Sequence, residues 1–86
     1  MPLYYFDIDD GSEYTMDKIG VELADLVEAR KEAAVLAGEL LRDRPNEFWA
    51  VQTWRMSVED ETGATLFLIE VDGVAAPAAA NALRRG

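Results

Sequence analysis

Residues 25–43 read DLVEARKEAAVLAGELLRD, and this stretch decides the fold. Leu26, Ala29, Ala33, Leu36, Ala37 and Leu40 recur at steps of three or four, which lines one side of a helix with apolar groups. Asp25 and Glu28 stand at capping-box spacing, with Asp in place of the usual Ser or Thr, and mark the start. No breaker follows until Pro45, and Arg42 and Arg44 suit the negative end of the helix dipole. Gly38 weakens the helix by about 1 kcal/mol relative to Ala, and close packing against a bulky ring is the expected reason for it. Pro45 and Asn46 close the element, and Glu47 to Thr53 reads as a linker holding Phe48 and Trp49.

On both sides of the helix the period changes from 3.6 to two. Tyr4, Phe6 and Ile8 alternate with Tyr5, Asp7 and Asp9, so the first row is expected in the core and the second in water. Asp10-Gly11-Ser12 is turn chemistry, and Glu13 to Asp17 is a short second strand. Lys18 to Ala24 approaches the helix irregularly, with Gly20 free to take a positive φ and Val21 and Leu23 tucked under the sheet. After the helix, Trp54, Met56 and Val58 face the core from an alternating strand, and Arg55 has Glu70 or Glu59 as a surface partner. Asp60-Glu61-Thr62-Gly63 turns the chain into a last strand, Thr65 to Val71.

That last strand is apolar on both faces. If the turn is a three-residue loop with a Gly bulge, Leu66 lies opposite Val58 and Leu68 opposite Met56, which leaves Phe67 and Ile69 on the far face. A loop one residue different exposes the leucines instead. Either register leaves an apolar row that the Ala-rich tail or a second copy of the chain has to cover. The fold class read from these elements is α+β: a four-stranded antiparallel sheet in ββαββ order with one long helix on one face. Residues 1–72 form the single domain, and 73–86 is a tail, either a short helix from Pro77 to Arg85 or frayed. The expected core is Tyr4, Phe6, Ile8, Leu23, Leu26, Ala29, Ala33, Leu36, Leu40, Trp54, Met56, Val58 and Leu68.

The composition excludes several chemistries. The chain has 86 residues, half of them apolar, which supports one compact domain. Cysteine and histidine are both absent, which removes disulfides, thiolate and imidazole ligands, the thiol nucleophile and the usual general base. Ser12, Thr53 and Ser57 have no imidazole to activate them, and the glycines form no phosphate-cradling loop. No enzyme activity and no cofactor are expected. Asp7, Asp9 and Asp10 suggest a calcium loop, but Gly11 comes one place too early for a loop starting at Asp7, so no metal is expected.

Net charge is −9, and from Met1 to Glu28 eight acids face one base, Lys18. Such a surface repels nucleic acid and anionic membrane. No run approaches the ~20 apolar residues of a membrane span, and the N-terminus has no leader pattern, so the expected location is the cytoplasm. The leading functional expectation is a non-enzymatic protein-interaction module that self-associates as a homodimer. Its candidate interface residues are Trp49, Phe67, Ile69, Asp7 and Asp9. Two alternatives stand beside it: an acidic partner that neutralises a basic protein, and a small-ligand sensor built on Phe48, Trp49 and Trp54.

Several motifs together carry a family likeness. They are Tyr4-Tyr5-Phe6-Asp7-Ile8 with Asp10-Gly11, then Asp17, Gly20, Glu22-Leu23 and Asp25, then Ala29-Arg30 with Glu32-Ala33. Trp54-Arg55-Met56-Ser57-Val58 and Asp60-Glu61-Thr62-Gly63 complete them. Over residues 1–71 the chain resembles a family of short, mostly alphaproteobacterial proteins catalogued as a domain of unknown function. The resemblance implies a small α+β domain and carries over no functional residues. In layout and charge the chain is also similar to the antitoxin halves of some small toxin–antitoxin pairs, an analogy of architecture alone.

Overall fold

The computed structural model describes residues 1–85; Gly86, the last residue of the expected tail, lies outside the described residues. The elements in chain order are β1 (Leu3–Asp9), β2 (Tyr14–Thr15), β3 (Val21–Glu22), α1 (Leu26–Asp43), α2 (Pro45–Val51), β4 (Thr53–Glu59), β5 (Thr65–Asp72) and α3 (Pro77–Arg85). The fold is α+β, with an open antiparallel sheet of order β2-β1-β4-β5 and β3 as a second short partner of β1. Helix α1 lies across β4 and β5 on one face, and α2 packs against α1 and β4.

Helix α1 starts where its cap predicts. The Asp25 carboxylate accepts from the Glu28 N–H at 2.9 Å, with Asp25 itself extended. Its buried stripe is alanine: Ala29, Ala33 and Ala37 are all but inaccessible. Small side chains at every fourth position bring the helix close to the sheet, whose own large groups (Trp54, Met56 and Val58) fill the space. Leu36 and Leu40 flank the stripe half-buried. Leu26 was expected inside but is 51% exposed, because it sits one turn ahead of the stripe at the rim of an open cavity beside Leu3 and Tyr4. Gly38 is not packed against a ring; nothing lies within 4 Å of the place a Cβ would take.

The linker expected at 47–53 is a helix. Pro45 ends α1 and serves as the first residue of α2, where its missing N–H goes unused. Phe48 is buried in the core as a result. Gln52, in the left-handed region at φ 65°, ends α2 by donating its N–H to the Phe48 carbonyl.

The β4–β5 hairpin corrects the expected register. Its turn is the three-residue loop anticipated, with Gly63 at φ 87° and the Asp60 N–H donating to the Ala64 carbonyl at 3.0 Å. Glu59 then pairs with Thr65, but Val58 pairs with Phe67, Met56 with Ile69 and Trp54 with Val71. Leu66 is the extra residue of a bulge between these pairs. One inserted residue turns every later side chain over. Phe67, Ile69 and Val71 therefore face α1 and pack on the core, while Leu68 lies on the opposite face, 54% exposed. The core place expected for Leu68 and the far-face place expected for Phe67 and Ile69 are both overturned.

Two further expectations shift at the N-terminal end. The second strand is shorter than Glu13–Asp17, and the approach to α1 holds a strand of its own, β3, paired to Leu3 and Tyr4. Val21 is exposed at that edge, whereas Leu23 packs on the core. The tail after Asp72 contains helix α3, whose side chains from Pro77 to Arg84 are exposed apart from half-buried Ala80.

Candidate interaction surface

The two outer edges of the sheet differ in how their backbone groups are satisfied. Along β1, β2 pairs with Ile8 and Asp9, and β3 pairs with Leu3 and Tyr4. The gap between them is filled by one side chain. Asp17 accepts the Phe6 N–H at 3.1 Å with one carboxylate oxygen, and the Ile19 and Gly20 N–H groups at 3.0 Å with the other. A carboxylate thus stands where the carbonyl of a neighbouring strand would stand. Desolvation opposes its ionisation, but the bonds from Gly20, Phe6 and Ile19 outweigh that and hold its pKa below the ordinary range.

Asp17 is itself held by Asp7. The Asp7 carboxylate accepts from the Asp17 N–H and from the Tyr14 hydroxyl, both at 2.8 Å. The loop formed by residues 10–24 closes over it, so Asp7 is 2% exposed rather than wet as its place in the alternation suggested. The bond to Asp7 is the main cause that pushes the Tyr14 hydroxyl up to about 12, because a donated proton favours the neutral phenol. Glu59, across the sheet from Tyr5, is raised by partial burial and then by the Asp7 charge.

Strand β5 forms the other edge and has β4 as its one strand partner among the described residues. It is eight residues long, contains no Pro, Lys or Arg, and is regular from Phe67 to Asp72. Its two acids, Glu70 and Asp72, stand on the far face at one end, where Arg55 meets Glu70 at 3.4 Å and Thr53 donates to Asp72 at 2.6 Å. The devices that usually blunt an edge are charge, proline, coverage and short length. Here the edge lacks proline, basic charge and a covering strand, and its bulge sits at the turn end.

Of the residues singled out in the sequence, Phe67 and Ile69 lie on this edge strand but point toward α1. Trp49 is 54% exposed on α2, at the end of the molecule from which the tail departs, and meets Phe48 edge-on at 5.4 Å. Asp9 is exposed but spends one oxygen on the Gly11 N–H, and Asp10 is occupied by Ser12 and Glu13. The acids near the first turn therefore tie the turn together. Among the described residues no three Asp or Glu side chains are grouped as a metal site would need. Phe48 and Trp54 line a groove of about 380 Å³, but Trp49 does not, so the three rings share no cage. Leu68 was placed in the core by the leading register and outside by the alternative one; the bulge at Leu66 is what exposes it.

No helix of the described residues is long and apolar enough to cross a membrane. Residues 3–72 match the model of a family described as Domain of unknown function (DUF6894), and the chain belongs to that family. No curated protein and no solved structure matches it.

Proposed function

We propose that this member of the family is a non-enzymatic protein-interaction module that works by strand addition at β5. The observation that carries this reading is the open edge itself: among the described residues β4 is the one strand bonded to β5, so the outward backbone groups of its eight residues face no strand, and Leu68 at mid-strand is 54% exposed. An extended partner satisfies those groups and covers the leucine in one step. The non-enzymatic part is supported by composition, since the chain has no His or Cys. Among the described residues the one carboxylate that is nearly inaccessible, Asp7, is spent on two structural hydrogen bonds.

An acidic surface for a basic partner has weaker support. Asp7 and Asp17 are consumed internally, and Asp9 and Asp10 are tied into the first turn. A sensor role has less still, because Trp49 stands apart from the groove that Phe48 and Trp54 share.

Amide hydrogen exchange tests the reading. In dilute solution the outward N–H groups of 65–72 exchange fast, and they gain protection as a partner or the chain's own concentration rises. Edge amides that stay equally fast, with protection appearing at α2 or the first turn instead, refute strand addition at β5.

A further inference from the structure

We infer that the strand added at β5 is the β5 of a second copy, antiparallel, about a two-fold axis through Ile69. The inference rests on the reading of β5 as the working edge. A two-fold axis normal to the sheet is the operation that sets two such strands side by side and antiparallel. It keeps both α1 helices on one face, so each side chain meets one from the same face, and the axis passes through a residue rather than between two.

Charge and regularity then select the residue. An axis at Glu70 sets Glu70 against its own copy, and an axis at Val71 sets Glu70 against Asp72; like charges directly opposite repel. An axis at Phe67 or Leu68 pairs at most three regular residues before the bulged Leu66 enters the ladder, whereas an axis at Ile69 pairs five, Phe67 to Val71. Ile69 remains. There Phe67 meets Val71 of the second copy, Ile69 meets Ile69, and Leu68 meets Glu70, all within the regular stretch. The helix-facing row Phe67, Ile69 and Val71, half-buried in one copy, continues into its own image, so the two cores join across the seam. Each Glu70 keeps its own Arg55. The acidic end of one strand lies beside the neutral, Thr65 end of the other, which makes the strand complementary to itself.

Engineered cysteines read this register directly, because the chain has no thiol of its own. Leu68 and Glu70 are both exposed, so Leu68→Cys and Glu70→Cys leave the core intact, as circular dichroism can verify. With the axis at Ile69, residue 68 of one copy lies about 5 Å from residue 70 of the other between Cα atoms, within disulfide reach. Residue 68 lies about 7–8 Å from its own copy, outside that reach. Mixing the two variants under mild oxidation should give the mixed disulfide in excess over either self-disulfide by on the order of tenfold. A dominant Leu68→Cys self-disulfide moves the axis to residue 68 and overturns the register while leaving strand addition standing. A chain that sediments as a monomer at micromolar concentration, yet gains β5 amide protection from another protein, overturns the second copy alone. A monomer whose β5 amides are never protected overturns both.

Discussion

Along β1 the outer edge of the sheet is closed by a carboxylate; along β5 it is left open. Both strands have the same need, since every backbone N–H and C=O has to find a partner or water. At β1 the chain spends fifteen residues, 10–24, on two short strands and a loop whose Asp17 completes the ladder. A buried Asp7 then fixes that loop. At β5 the chain turns directly from the strand into an exposed tail. Under the proposed strand addition, protection of one edge and not the other makes association one-sided, which favours a closed pair over an open fibre.

Removing the Asp17 carboxylate should break this contrast most severely. Asp17→Ala leaves the Phe6, Ile19 and Gly20 N–H groups without their acceptor and should cost about 2–3 kcal/mol in urea unfolding. It should also open the β1 edge, so that species larger than a dimer appear in sedimentation; a stable, unchanged assembly would show that the loop protects β1 without the carboxylate. The same bonds set the acid response. The folded-state pKa of Asp17 lies below its ordinary 3.8, so its stabilisation is complete above that value and is lost as pH falls through the folded one. Asp17→Asn should therefore lose that part of the acid sensitivity, read as unfolding midpoints down the pH range.

A smaller loss is expected from Gly20→Ala. Gly20 sits at φ 80° in the loop that carries Asp17, and a Cβ there would stand 2.9 Å from the Tyr5 ring and 3.3 Å from the Tyr4 carbonyl. The left-handed backbone alone costs a residue with a Cβ about 1–2 kcal/mol. Thermal unfolding measures it, and a neutral result would mean that the loop shifts without loosening β1.

Leu68→Glu should change stability least and association most. The side chain is 54% exposed, so the dilute chain should unfold within about 0.5 kcal/mol of the parent. A glutamate there faces Glu70 of the second copy in the proposed register, and the like charges should abolish the concentration-dependent protection of β5. If the variant loses stability instead, Leu68 belongs to the fold, and the two edges are less different than their strand pairings make them.

How far this was legible can be judged residue by residue. Tyr4, Phe6, Trp54, Met56 and Val58 were readable because alternation in a strand is local, and so were Asp25 as a cap and Gly63 as a turn. Phe48 was hidden because Pro45 both ends one helix and starts the next, and a proline reads the same in either role. Asp7 was misplaced because alternation reports a face and not what covers it; the cover comes from Tyr14 and Asp17, seven and ten residues away. Phe67, Ile69 and Leu68 changed faces through one bulge. In a strand apolar on both sides no hydrophobic pattern remains to mark an inserted residue.

The sequence alone determined the long helix with its Asp25 cap and alanine positions, the strands β1, β4 and β5 and the turn at Gly63, since each rests on contacts between residues a few positions apart. It also determined the absence of thiol and imidazole chemistry, which is composition. Tertiary structure decided which row of β5 faces the helix, which carboxylate is enclosed and which edge of the sheet stays open. Those outcomes depend on pairings between distant segments, where the insertion of a single residue reverses a face and the placement of a single carboxylate closes an edge.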